Sequence, residues 1–231
     1  MISAVLKGGV TAKGEIKMPK YKYIMWDWNG TLLDDLQMNF DIENILLSRR
    51  NVKTISSIEE YHDKFSFPII DFYRRLGFDL ENEKFELIAR EYAHLYDEMY
   101  PMAEIFDGAE RILRKIKESG IRQLIISQTE QSYLTKQVTY FELEHFFTDI
   151  LGNSDIYARS KVAVAQRWMK ENDAAPSEIL FIGDTVHDKE VADSIGCDCV
   201  LISRGHNSKE RLLSTSVLVL SDISEIEGVV L

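Results

Sequence analysis

Between Gly108 and Leu220 the chain switches repeatedly between short apolar runs and amphipathic stretches, and that alternation leaves few folds open. Gly108–Ser119 reads as a helix stopped by Gly120, Arg122–Ser127 as a buried strand, Glu130–Tyr140 as a helix and Asp149–Leu151 as a short strand. Lys161–Asn172 reads as the next helix and Glu178–Ile182 as a strand. His187–Ile195 is then a helix stopped by Gly196, Cys199–Ile202 a strand and Val217–Leu220 one more. Strands separated by helices cannot pair as hairpins. They form a parallel sheet with helices on its faces, a Rossmann-like α/β core, in which ligands meet the carboxyl ends of the strands.

The first strand, Tyr21–Trp26, lies well upstream of this series. Leu32, Leu33, Leu36, Phe40, Ile42 and Ile45 to Leu47 follow it as one amphipathic face, and from Asp34 to Met102 the signals are helical with no strand among them. Ser56 and Ser57 can cap a helix running toward Phe65, Pro68 can start another through Leu76, and Asn82 can cap a third. In that third helix Phe85, Ile88, Tyr92, Leu95 and Met99 share a face. The expected organisation is an N-terminal extension (1–20), an α/β core (21–35 and 103–231) and an inserted α-helical cap domain (36–102). Met1–Met18, with its glycines and lysines, reads as loosely packed, and a chain starting at Met18 would keep every motif below.

Composition removes several function classes. A net charge of −11 with no cluster of Lys and Arg excludes a nucleic-acid partner, because phosphate backbones are held by concentrated positive charge. No apolar run approaches the ~18 residues of a membrane span, and the first residues lack the apolar centre of a signal peptide. Cys197 and Cys199 stand two apart, on one face of a strand and without bridging geometry, which suits structural thiols in a reducing cytoplasm. A small phosphorylated metabolite fits such a chain better than a polymer, and the expected state is a monomer or homodimer.

Two stretches carry the chemistry. Met25-Trp26-Asp27-Trp28-Asn29-Gly30-Thr31 puts a carboxylate at the end of an apolar strand with a Gly-Thr turn behind it. Phe181-Ile182-Gly183-Asp184-Thr185-Val186-His187-Asp188 does the same with two carboxylates four apart. Mg²⁺ takes oxygen ligands and needs only one or two protein carboxylates besides a substrate phosphate, so the second stretch outlines a hard-cation site. Read alone, it fits a helix cap equally well. Ser127 at a strand end and Lys161 at a helix start are, each by itself, ordinary turn and surface chemistry.

In order along the chain, these four segments resemble the motifs of the haloacid dehalogenase-like (HAD) hydrolase superfamily, and the whole of Tyr21–Leu220 is similar to its phosphoglycolate phosphatase-like branch with a helical cap. The resemblance implies an Mg²⁺-dependent phosphatase in which Asp27 attacks phosphorus and becomes an aspartyl phosphate. Ser127 and Lys161 would hold the transferred group, assisted by Thr31 and Gln128. The metal would sit on Asp27, the backbone carbonyl of Asn29 and Asp184, with Asp188 in support. Phe65-Ser66-Phe67-Pro68 is expected as a loop over the site, Trp28 as its wall and Trp26 as core. Arg49, Arg50, Arg74 and Arg75 could meet a second anionic group of the substrate, although each by itself reads first as an ordinary surface residue. His187 and His206 fall near the expected loops, where capping or packing explains them as well.

One position departs from the family pattern Asp-x-Asp-Gly-Thr. Its second acid, which protonates the leaving oxygen and later activates water, is Asn29 here, and each of those proton transfers is worth roughly 10²–10⁴-fold. Two other functions therefore stay beside the phosphatase. One is a phosphonate carbon–phosphorus hydrolase of the phosphonoacetaldehyde hydrolase type, with Lys53 or Lys64 as the amine. The other is a phosphate-binding or regulatory protein of low turnover.

Overall fold

Tyr23–Trp26 (β1) forms the middle of a six-stranded sheet, buried along its whole length. The computed structural model describes residues 20–157 and 161–231, so the N-terminal extension apart from Lys20 lies outside the described residues. Leu33–Asp34 (β2) and Glu104–Ile105 (β3) pair antiparallel as a separate two-stranded ribbon. The main sheet is completed by Arg122–Glu130 (β4), Asp149–Asn153 (β5), Ile179–Gly183 (β6), Asp198–Ile202 (β7) and Leu218–Leu220 (β8). Its order is β5-β4-β1-β6-β7-β8 with every neighbouring pair parallel, the Rossmann-like arrangement that the alternation predicts. The chain builds outward from β1 through β4 to β5, then returns to β6 on the other side of β1. That reversal opens a crevice at the carboxyl ends of β1, β4 and β6, where an open α/β sheet receives its ligand.

The helices are Leu36–Arg49 (α1), Ile58–Lys64 (α2), Ile69–Leu76 (α3), Phe85–Met99 (α4), Ala109–Glu118 (α5), Gln131–Tyr140 (α6), Val162–Glu171 (α7), Val186–Ile195 (α8), Lys209–Leu213 (α9) and Glu227–Val230 (α10). Because both faces of the sheet are covered, β1 and β6 are continuous apolar runs, not alternating ones. Successive side chains of β1 go to opposite cores. Tyr23 and Met25 pack with Trp168, Phe181 and Val191, whereas Ile24 and Trp26 join Ile112, Leu113 and Leu134 and the helices of the 36–102 insert. Among the described residues no helix is long and apolar enough to cross a membrane.

Several boundaries differ from the sequence reading. β2 and β3 are two residues each, too short to leave a periodic pattern, yet they join the two ends of the helical insert. β4 continues past Ser127 through polar residues to Glu130, whose carboxylate accepts from the N–H groups of Ser132 and Tyr133 and caps α6. Helix α4 starts after Lys84. Asn82 instead donates its side-chain amide to Asp79 in the preceding turn, 2.7 Å away. Ser57 does cap α2, accepting from Glu60 N–H, and Gly196 ends α8 with φ at 78°.

One buried polar tie fixes α5 against the sheet. Gln123 accepts from the Trp26 indole N–H at 3.1 Å and donates to Leu113 O at 2.8 Å, while only 1% exposed. Gln123→Leu removes both partners of these groups without leaving a large void. It is expected to cost about 1–3 kcal/mol, the penalty of an unpaired buried donor or acceptor, measurable by urea denaturation.

Candidate active site

The register of β1 against β6 brings the two motifs together. Trp26 pairs with Ile182, so Asp27, the next residue, stands beside Gly183 and Asp184, and its N–H donates to Ile182 O at 2.8 Å. Asp27, Asp184 and Asp188 each offer an oxygen within 4.8 Å of the others, and all three are buried. Lys161, just ahead of α7, reaches in between with Nζ 2.7 Å from Asp27 Oδ1 and 2.6 Å from Asp188 Oδ1. Burial works to lower the pKa of this ammonium, but Asp188 and Asp27 more than offset it, and the net shift is upward, so it stays charged.

The loop Gly183–Asp188 is shaped around its carboxylates. Asp188 Oδ2 accepts from the N–H groups of Asp184 and Thr185 and from the Thr185 hydroxyl, which makes Asp188 the clasp of the loop. With Lys161 on its other oxygen, Asp188 is held below the usual carboxylate range even though burial alone would raise it. Asp184 accepts from the Thr31 hydroxyl at 3.0 Å and from His206 N–H at 2.6 Å. Glycine is required around it. A Cβ at Gly205 would lie 2.1 Å from Asp184 Oδ2, and one at Gly30, whose φ is +69°, would lie 2.4 Å away. Burial, eased by the His206 charge and aggravated by Asp188, lifts Asp184 to about 6. Burial also drives Asp27 upward, against the pull of Lys161. Three carboxylates against one ammonium leave uncompensated negative charge on oxygen donors only, a set that fits Mg²⁺.

Asn29 faces away from this cluster. Its Nδ2 donates to Asp35 Oδ2 at 2.8 Å and to the Tyr96 hydroxyl at 2.6 Å. Its Oδ1 accepts from Thr129 Oγ1 at 2.9 Å and Ser127 Oγ at 3.4 Å. Asp35 is the hub: fully buried, it also accepts from Gly30 N–H, Asn39 Nδ2 and Tyr96 OH, and pairs with His206 Nε2 at 3.2 Å. Burial would raise Asp35, but His206 and these donors hold it low. Burial would lower His206, but Asp35 carries it up to about 9. Beside Asp35 a donor is needed, and an amide supplies one where a carboxylate could not.

A cavity with about 160 Å³ of water-accessible space opens over Asp27 and Lys161, room for on the order of a dozen waters at the ~10–15 Å³ each requires. Asn29, Gln128, Thr129, Thr185 and His206 line its floor, and aromatic rings from α2, α3 and α4 cover it. Ser127 and Thr31 are buried behind that floor, their hydroxyls turned to Asn29 and Asp184. Phe65 and Phe67 do lie over the site, Phe65 stacked 5.1 Å from His206. Trp28 does not wall it. Its indole is fully buried in the core and donates to Gln137. The four arginines are absent too: Arg49 and Arg50 pair with Glu91 and Glu83, Arg74 with Asp71, and Arg75 with Lys64 O. Neither Lys53 nor Lys64 lines the cavity. His187 packs on Phe67 beside Glu190, outside it. Sequence reasoning missed Asp35, Thr129 and Tyr96. Asp35 had one visible signal, an acid following Leu32-Leu33 where an apolar helix begins.

The family model for haloacid dehalogenase-like hydrolases matches residues 24–202. A phosphoglycolate phosphatase of Pseudomonas fluorescens is 21% identical over 209 residues, 87% of this chain and 76% of the relative. The crystal structure of a predicted phosphoglycolate phosphatase from Haemophilus somnus superposes with a TM-score of 0.77 at 19% identity, covering 92% of this chain and 99% of that one. Protein tyrosine kinase A (PtkA) of Mycobacterium tuberculosis superposes at 0.76 with 22% identity, over 91% and 98% of the two chains.

Two outcomes follow from the Asp35 network. Asn29→Asp would set two carboxylates 2.8 Å apart, where both cannot ionise, so the pair must take up a proton. A carboxyl with a raised folded pKa stabilises below its unfolded value and loses that contribution as pH rises. The Tm deficit of Asn29→Asp against the parent should therefore widen from about pH 5 to about pH 8. His206 has the same sign. Its contribution is complete below the ~6.5 of free histidine and is lost as pH rises through about 9. Thermal melts of the parent should thus fall on that alkaline limb, and the limb should flatten in His206→Gln.

Proposed function

The chain belongs to the haloacid dehalogenase-like hydrolases, and from that premise we propose that it hydrolyses small phosphate monoesters through an aspartyl phosphate on Asp27, with Mg²⁺ as cofactor. It is a hydrolase acting on phosphate esters, and the phosphoglycolate phosphatases among its relatives point to a small substrate. The observation that carries the mechanism is the Asp27 carboxylate at the cavity floor, 2.7 Å from a buried Lys161 and within 4.8 Å of Asp184 and Asp188.

A bound Mg²⁺, held by Asp27, Asp184 and the Asn29 carbonyl, would supply positive charge against the phosphoryl oxygens. The protein's own residues do the rest. An Asp27 oxygen forms a bond to phosphorus as the bond to the leaving oxygen breaks, and that oxygen departs with the electron pair. Lys161 pulls against the burial that raises Asp27, favouring its ionised form, and offsets charge on the transferring group. Asp188 holds Lys161 and the Gly183–Asp188 loop, a positioning role. The helical segment 36–102 serves as the cap: Tyr61, Phe65 and Tyr96 bring their rings over the floor and limit water at Asp27, which is only 6% exposed.

Asn29 cannot give or take a proton. Leaving groups that depart as stable anions need none, so aryl and acyl phosphates are favoured over alkyl esters, by up to ~10⁴-fold for this one proton transfer. No comparable observation favours carbon–phosphorus cleavage, since neither lysine named for it lines the cavity.

Asp27→Asn should abolish turnover with an unchanged circular dichroism spectrum, because the nucleophile goes with almost no change in volume. Retained phosphatase activity in that variant would sink the mechanism. Asp184→Ala should weaken Mg²⁺ binding measured by calorimetry. An unaltered isotherm would remove Asp184 from the metal site. In a screen of phosphate esters, aryl and acyl phosphates should rank above alkyl esters, and a ranking independent of leaving group would show that another residue supplies the proton.

A further inference from the structure

The far end of the cavity, under the insert helices, holds a polar group that the phosphoryl chemistry does not use. Glu43, on α1, lines the cavity while only 2% exposed. Its Oε1 accepts from the Tyr73 hydroxyl at 3.1 Å, and its Oε2 has no hydrogen-bond partner. Neither protonation state satisfies it. Ionised, Oε2 is a buried acceptor without a donor; protonated, it is a donor without an acceptor. Burial, moderated by Tyr73 and the more distant Arg50, raises Glu43 to about 8.

The cations near the cavity are already engaged. Lys161 is held by Asp27 and Asp188, His206 by Asp35, and the Arg50 guanidinium by Glu83 and Glu91. Glu43 shares the cavity lining with Tyr73, which bonds it, and Phe72 from α3 and with Tyr92 and Tyr96 from α4. The tyrosine hydroxyls are spent on neighbours: Tyr73 on Glu43, Tyr92 on Asn39, Tyr96 on Asp35. A carboxylate among aromatic rings is an environment for a cation, attracted both by the charge and by the ring faces. It is a poor one for a second anion, and among the described residues no free basic group stands there to receive one.

We propose that the substrate is a phosphate monoester whose organic end carries an ammonium group, seated between Glu43 and the tyrosine rings while its phosphate lies at Asp27. The proposal rests on the reading of the Asp27 end as the phosphate site. The amine would give Glu43 Oε2 its missing donor and stabilise the ionised carboxylate. A carboxylate-bearing ester such as phosphoglycolate would bring a second negative charge to this buried end, where no free cation among the described residues meets it.

The test compares three small esters with the whole protein and Mg²⁺: 2-aminoethyl phosphate, 2-hydroxyethyl phosphate and phosphoglycolate. The amino ester should lead in kcat/KM by roughly 10-fold or more. Glu43→Gln should cost it roughly 30-fold, the fold-change for breaking a buried charge pair, while changing the hydroxy ester by less than about 3-fold. A wild-type protein that prefers the hydroxy ester or phosphoglycolate overturns the proposal, as does a Glu43→Gln variant that loses all three esters equally. A second arm does not depend on turnover. In Asp27→Asn protein, calorimetry should show tighter binding of 2-aminoethyl than of 2-hydroxyethyl phosphate, and the difference should vanish in Asp27→Asn/Glu43→Gln. That binding preference, with no hydrolysis by the parent of these esters or of an aryl phosphate such as 4-nitrophenyl phosphate, would uphold the amine site and refute the phosphatase. Hydrolysis without any amine preference would do the reverse. If Glu43→Gln fails to fold, the wild-type ranking and the Asp27→Asn isotherms decide.

Discussion

Three buried carboxylates cluster at the carboxyl edge of the sheet, two of them on one lysine, and the surrounding structure is arranged to tolerate them. Unpaired charge in a protein interior is costly, so each carboxylate is given partners. Asp188 takes two backbone N–H groups, a hydroxyl and Lys161, and Asp184 takes the Thr31 hydroxyl and the His206 N–H. Glycine at 30, 183 and 205 follows from the same crowding, because a Cβ at any of them would meet a carboxylate atom at 2.4 Å or less. The electrostatic deficit that remains is what a divalent cation and a phosphate would complete together.

A second buried charge centre lies a few residues away and explains the amide at position 29. Asp35 is neutralised by His206 and surrounded by donors, among them Asn29 Nδ2. Position 29 thus answers to the Asp35 network as much as to the reaction. Where the family pattern has a proton-transferring acid, this chain has a group that links Asp35 and Tyr96 to Ser127 and Thr129. The missing carboxylate and the polar bridge in its place are two faces of one substitution, and the proposed leaving-group preference is thereby tied to the packing of α1 and α4 against the core.

The insert completes the cavity in a way that strand ends alone could not. Sheet and loops supply the carboxylates, the lysine and the backbone donors, while α1 to α4 supply rings and the unpartnered carboxylate of Glu43. Under the proposed function, chemistry and selection are therefore carried largely by different segments.

Much of the fold was legible in the sequence. Apolar runs alternating with amphipathic stretches imposed a parallel sheet, and turn residues such as Gly120 and Gly196 marked where helices stop, because these signals are local in the backbone. Asp27 and Asp184 were legible for the same reason, each following an apolar strand directly, and Asp188 through its place four residues beyond Asp184. Asp35 was not, since nothing nearby in the chain reveals that His206 will reach it across 171 positions. Trp28 was not placed correctly, because an indole flanking a nucleophile faces core or cavity according to packing. For the four arginines the structure took the surface reading over the substrate one, since an arginine pairs with whatever acid or carbonyl the helices bring near. Glu43 lay inside a helical pattern like any exposed acid, and only the packing of α1 against α3 and α4 buried it. The sequence by itself determined the sheet, its helices and the acids at its strand ends, since period and turn chemistry are properties of neighbouring residues. Which charges meet, which carboxylate stays unpartnered and what the cavity can hold were decided by tertiary structure alone, because electrostatics and burial depend on distance in space, not along the chain.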